Sequence, residues 1–164
     1  MGGHPAKVVA SGGAVWRPRE KIYGNIFDHI RSDFVYANGV QMSSVCRQFP
    51  RDKGIYTNIS ELVVVSKGRT NCKDMGPPGL NPYVQEHIDM VKSIRGQGPY
   101  INRAMEVAES TMTTIMARES AYSGQEITWD QIMASNLDLF PKSFDYDLPM
   151  GVPPLPVPGV YKFS

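Results

Sequence analysis

From Tyr23 to Gln48 the chain reads YGNIFDHIRSDFVYANGVQMSSVCRQ, with Asp28 and His29 adjacent and Arg31 two positions further on. Histidine is the side chain that ordinarily changes charge near neutral pH, and a neighbouring carboxylate and guanidinium can tune and orient it. Such a group handles protons or grips a polar ligand. Asn38-Gly39 lies between two strand-like segments, about Phe27 to Ala37 and Val40 to Gln48, and this dipeptide predicts a type I′ hairpin turn. With a two-residue loop, Ala37 faces Val40, Val35 faces Met42, Asp33 faces Ser44, Arg31 faces Cys46 and His29 faces Gln48. Asn25, Asp28, His29, Arg31 and Gln48 then form a polar, titratable patch, the candidate surface for a substrate or an interface. A solvated sheet face accounts for the same residues, because polar side chains on one face of an antiparallel sheet are ordinary. The other face, with Ile30, Phe34, Tyr36 and Val45 among Ser32, Gln41, Ser43 and Arg47, is the more aromatic and is expected to sit under helices.

Other chemistries lack their residues. No glycine-rich turn joins a strand to a helix, as a dinucleotide pyrophosphate requires: GQGPY follows a helix, and Gly12-Gly13 precedes a loop. No G-x-S-x-G elbow exposes a serine nucleophile. His4, His29 and His87 are isolated from one another, which fits no metal site, and His87 reads as a hydrogen-bonded structural histidine. Cys46 and Cys72, 26 positions apart, read as free thiols.

The elements that must position the patch follow from pattern. A first strand is expected over about Ala6 to Ser11, then an exposed connection through Gly24. The run Leu62 to Val65 with a Lys-Gly turn predicts a further, buried hairpin, giving a sheet of at least five strands. Asn81-Pro82 opens a helix with a stripe of Val84, Ile88, Val91 and Ile94, which Gly96 ends. A second helix runs from Asn102 to about Tyr122, with Met105, Ala108, Met112, Ile115 and Met116 on its buried side. Both helices are expected to cover the sheet. Thr128 to Gln131 is a capping box for a short third helix ending near Ser135. From Asn136 onward, six of the 13 prolines fall within 29 residues, so residues 1–135 read as the α+β domain and 136–164 as an extended tail. Val152, Leu155, Val157 and Val160 suggest that this tail lies on something.

The 164 residues, 41% hydrophobic and 20% charged, suit one domain with a real core. With 17 basic against 16 acidic residues and no like-charge block, nothing marks a nucleic-acid or membrane surface. No apolar leader is seen, so the chain as written reads as soluble and cytoplasmic, and the abrupt start suggests a missing upstream part.

The blocks GHPAKVVASGG, YGNIFDHI, YANGVQMSSVCRQ, the long run from NPYVQEHIDMVKSIRGQGPY to EITWDQ, and VPPLPVPGVYKF together resemble the C-terminal domain of bacterial oxidoreductases of the glucose-fructose oxidoreductase, inositol dehydrogenase and rhizopine catabolism (Gfo/Idh/MocA) family. The resemblance implies an α+β domain whose open, mainly antiparallel sheet lines a substrate site and joins subunits, beside an N-terminal Rossmann domain that carries NAD or NADP. It implies hydride transfer to or from a hydroxyl-bearing carbon of a sugar or polyol. The family's Lys-Pro and Asp-x-x-x-His motifs have no counterpart in this sequence, so the resemblance assigns no catalytic residue and no cofactor-binding residue here. By itself the chain is expected to be inactive. A stand-alone binding or scaffold module, or part of an NAD-dependent glycosidase, are the competing readings.

Overall fold

The computed structural model describes residues 2–50, 54, 58–71, 81–141, 143–145, 147–148 and 151–164. They belong to two compact units, Met1–Ile55 with Met105–Ser164, and Tyr56–Ala104. The first unit is α+β, built on an open antiparallel sheet. Its strands are β1 (Lys7–Gly13), β2 (His29–Val35), β3 (Gln41–Arg47) and β6 (Ile127–Thr128), in the order β3-β2-β1-β6. Among the described residues the sheet therefore has four strands, not the five or more expected. Its fourth, β6, is two residues long and was hidden in the sequence by the capping box that follows it; Trp129 N–H donates to Ala6 O at 2.9 Å and extends the pairing.

The hairpin corrects the expected register. Tyr36 N–H donates to Val40 O and Gly39 N–H to Tyr36 O, both at 2.9 Å, so Ala37, Asn38 and Gly39 all lie in the loop. Gly39 takes φ 83°, the left-handed position that closes a three-residue loop. The extra loop residue shifts β3 by one place: Val35 faces Gln41, Asp33 faces Ser43, Arg31 faces Val45, and His29 faces Arg47 rather than Gln48. Since side chains alternate along a strand, this one-place shift exchanges the faces of β3 while leaving those of β2 as expected. Met42, Ser44 and Cys46 share a face with Phe34, Ser32 and Ile30, whereas Gln41, Ser43, Val45 and Arg47 join His29, Arg31 and Asp33 on the open face.

The covered face holds the core. Val8, Phe34, Met116, Ile127 and Ile132 are nearly inaccessible, with Phe27, Tyr36 and Tyr122 around them; each large apolar side chain so buried contributes about 2 kcal/mol. The Phe27 and Tyr122 rings meet edge to face, 4.7 Å between centroids. These residues come from α2 (Ala104–Ser123) and α3 (Trp129–Ala134) as well as from the sheet. In α2 only Met116 to Ser123, apart from half-buried Arg118, is buried, so the stripe predicted from Met105 onward is covered at one end only: Met112 and Ile115 are half-buried and Met105 is exposed. In the exposed half, Ser110, Thr111 and Thr113 turn their hydroxyls back onto carbonyls four residues earlier. Buried Ser120 is tied on both sides, accepting from Ala10 N–H at 2.9 Å and donating to Gln125 O at 2.6 Å. α3 opens with the expected capping box, Thr128 Oγ1 accepting from Gln131 N–H while the Gln131 side chain accepts from Thr128 N–H.

The C-terminal segment docks on this same unit. Leu155, Tyr161 and Phe163 pack against the core, Pro156 is buried, and Gly159 N–H donates to Ser123 O at 2.9 Å. Of the four apolar residues expected to seek contact, Leu155 finds it, while Val152, Val157 and Val160 stay exposed.

β1 approaches β2 closely at one point. A Cβ on Gly12 would lie 2.3 Å from the His29 carbonyl oxygen and 2.9 Å from the Phe27 ring, whereas on Gly13 its nearest neighbour would be the His29 ring at 3.4 Å. Gly12→Ala should therefore cost about 2 kcal/mol in urea unfolding, because a paired backbone carbonyl cannot step aside, while Gly13→Ala should cost far less. Equal losses from the two substitutions would contradict this account.

The second unit contains a hairpin of β4 (Val63–Val65) and β5 (Gly68–Thr70), and α1 (Pro82–Ile94). The helix starts as expected, Asn81 Oδ1 accepting from Tyr83 N–H at 3.0 Å, and Gly96 beyond its end has φ 67°. Contrary to expectation, the hairpin forms a sheet of its own and is exposed, and α1 has no buried residue: Val84 is 53% and Ile94 76% accessible. Periodicity identifies which side of a helix is apolar, but it does not supply a surface to cover that side.

Candidate functional site

The site assembles where β1, β2 and β3 end together. Asp28, just ahead of β2, bridges its two neighbours through the main chain: its N–H donates to Gly13 O at 2.9 Å, and its carbonyl accepts from Gln48 N–H at 2.8 Å. Its side chain, only 2% exposed for the whole residue, turns toward the loop leaving β1. Oδ2 accepts three successive backbone N–H groups, from Val15 (2.7 Å), Trp16 (2.7 Å) and Arg17 (3.1 Å), and Oδ1 meets His29 Nδ1 at 2.8 Å. Burial by itself would raise this carboxyl, but the bonds from His29 and from the three amides outweigh it and hold the pKa at about 2. Asp28 is thus a carboxylate at any physiological pH, enclosed and fully engaged.

His29 is fixed by that contact on one side and by Gly13, which lets the ring fold close, on the other. Phe49 lies 5.8 Å from the His29 ring and 5.9 Å from that of Trp16, centroid to centroid, so the three rings run side by side at the edge of the open face. Arg17 donates from Nη2 to Gln48 Oε1, and its Nε is buried without a hydrogen-bond partner among the described residues. The structure therefore brings together Asp28, His29 and Gln48 of the sequence candidates. Asn25 is half-buried in the segment leading into β2. Arg31 stands one turn of the pleat further along the open face, its Nε 3.8 Å from Asp33 Oδ2, and Asp33 also accepts from the Ser43 hydroxyl.

Sequence reasoning missed Trp16, Arg17 and Phe49. The stretch from Gly12 to Gly24 looked like an exposed connection, and nothing local marks it as the loop held by an aspartate more than ten residues downstream. Asp28 itself was expected to face outward and instead acts from beneath. A separate concavity of about 380 Å³, bordered by His4, Tyr36, Met42, Glu106 and Glu109, contains none of the candidate residues. His4 stacks flat on Trp129 at 3.8 Å, and His87 Nδ1 bonds Tyr83 O at 2.6 Å, as a structural histidine does. No cluster of metal-ligating side chains occurs among the described residues, Cys46 is a free thiol, and Cys72 lies outside those residues. No described helix is long and apolar enough to cross a membrane.

Gly12 and Gly13 do not form a pyrophosphate cradle. They are strand residues paired with Ile30 and His29, and only a three-residue 3-10 turn, Lys21–Tyr23, follows, so no helix N-terminus meets them to cradle a pyrophosphate.

No protein-family profile and no curated protein sequence matches the chain. One solved structure is similar over 77% of the chain, at 13% identity and a TM-score of 0.44: a Sinorhizobium meliloti 1021 protein provisionally described as a myo-inositol dehydrogenase. The chain spans 44% of that protein's length. A likeness at this level leaves function to be argued from the chain's own residues.

Proposed function

We propose that this chain is the substrate-lining and subunit-joining C-terminal domain of an NAD(P)-dependent oxidoreductase acting on a sugar, polyol or related hydroxyl compound. The supporting observation is His29, oriented by a buried carboxylate and set beside aromatic rings at the edge of an uncovered sheet face. An imidazole so held can accept or donate a hydrogen bond to a hydroxyl without the freedom to turn away. In this reading an upstream Rossmann domain supplies the nicotinamide and the catalytic residues, and this chain supplies none of them. It orients the substrate and excludes water from one side.

The rest of the open face suits a second copy. Val9 and Val45 are about half exposed there, each flanked by polar strand neighbours, a mixture that an antiparallel interface between subunits uses well. Sedimentation at high micromolar concentration should show dimer, and Val45→Glu should shift it to monomer. A wild-type chain that stays monomeric would overturn this half of the proposal.

The whole reading is tested by sequencing the coding DNA for about 200 codons upstream of Met1, the size of one domain, and weighing the intact protein from cells. An open frame with a strand, GxGxxG and helix, a Lys-Pro and a mass of about two domains supports it. A stop codon and a mass near 18.2 kDa would replace it with a free-standing binding module.

A further inference from the structure

Resting on that reading of the face, we infer that the molecule bound beside His29 carries a carboxylate or phosphate group, and that Arg17 receives it. The guanidinium carries two donors, Nε–H and one N–H of Nη2, side by side on a single edge in the spacing of two oxygens of one oxyanion. Gln48 brings only one amide oxygen to that edge. It occupies Nη2 and leaves Nε buried and unpaired among the described residues, a position that is costly for any donor and more so for one bearing charge.

The acids whose contacts are known near this edge are already engaged. Both Asp28 oxygens are taken up by three amides and the His29 ring, and Asp33 is held by Arg31 and Ser43. Arg47, facing His29 across the strands, adds a further basic residue to this end of the sheet. The Gln48 amide is exposed, so an incoming oxyanion can displace it and satisfy both donors at once. A neutral polyol can bring two vicinal hydroxyl oxygens to that edge but no charge, so its contact with the guanidinium is the weaker one.

The test is a titration of the 164-residue chain with glucose, glucuronate, glucose 6-phosphate and inorganic phosphate, followed by the Trp16 indole N–H in ¹⁵N NMR. The chain has two tryptophans, so Trp129→Phe assigns the signal. At least one charged sugar should bind about tenfold more tightly than glucose, and Arg17→Gln should abolish the difference. Arg17→Lys, which keeps the charge but not the paired donors, should lose most of it and serves if Arg17→Gln does not fold. Preference for glucuronate alone identifies a sugar acid, and preference for the phosphate ester alone identifies a sugar phosphate. Equal binding of glucose and the charged sugars would overturn the inference while leaving the substrate face intact. Binding of inorganic phosphate as tightly as either charged sugar, or no Trp16 shift with any probe, would overturn the inference, while the reading it rests on is decided separately by the upstream frame and the intact mass.

Discussion

Glu119→Ala should lower the unfolding free energy by about 3 kcal/mol. Glu119 is completely buried, and each of its oxygens is engaged: Oε1 accepts from Arg118 Nε at 2.9 Å and Nη2 at 2.6 Å, and Oε2 accepts from the Tyr161 hydroxyl at 2.6 Å. Arg118 also lies 5.7 Å above the Tyr122 ring, and its side chain is 28% accessible, so water relieves part of its loss when the carboxylate goes. Tyr161 is half-buried. Burial first, and then the bond to Glu119, push its hydroxyl up to about 12, so it stays protonated and donating at any ordinary pH. Alanine would take away that donor's partner, open a cavity under α2, and loosen the C-terminal segment, which would keep only the packing of Leu155, Pro156 and Phe163 and the Gly159 N–H bond to Ser123 O. Tyr161→Phe keeps the ring but takes the donor from the buried Glu119 Oε2, so its cost should be about 2 kcal/mol. Urea unfolding of the two variants checks both values. A loss below about 1 kcal/mol for Glu119→Ala would show that the tail is not fastened there.

Asp28→Asn should cost about 2 kcal/mol at neutral pH and almost nothing at pH 2. The carboxyl moves from its ordinary 3.8 to about 2 on folding, so on acidification the unfolded chain takes up the proton first. The stabilisation is therefore complete above about pH 4 and is lost as pH falls through about 2, and the 1.8 units between 3.8 and 2 correspond to roughly 2 kcal/mol. Asparagine presents one oxygen and an NH₂ group to four donors, so it cannot replace the carboxylate. Urea midpoints for wild type and variant between pH 7 and pH 2 should converge toward acid. A gap that stays constant over that range would refute the assignment.

Local signals in the sequence were reliable where the physics is local. The Asn81-Pro82 start, the Thr128 to Gln131 capping box and the inward face of β2 depend on residues within one turn or one strand, and all three appear as read. The sheet's fourth strand was not legible, because two residues carry no periodicity, and Ile127-Thr128 is recruited only by the edge of β1. The stripe of α1 was legible as a stripe but not as exposed. Of the site, His29 and its carboxylate neighbour were visible, yet the part that gives the site its shape was not. Val15, Trp16 and Arg17 meet Asp28 across 11 to 13 residues, and Phe49 arrives from the far end of β3. Such contacts are fixed by how three strands end in space, which no short window contains.

The three-residue loop at Ala37 to Gly39 also limits how this chain can vary. Surface loops usually absorb insertions and deletions cheaply, because each added residue changes only the entropy of closure. Here the number of loop residues sets the parity of β3. Losing one residue would favour the two-residue turn and send Met42, the half-buried residue of β3 that packs against the core, to the open face. Homologues of this chain should accordingly tolerate a change of residue at this turn more readily than a change of length, and any indel found there should come with a compensating apolar substitution beside position 42.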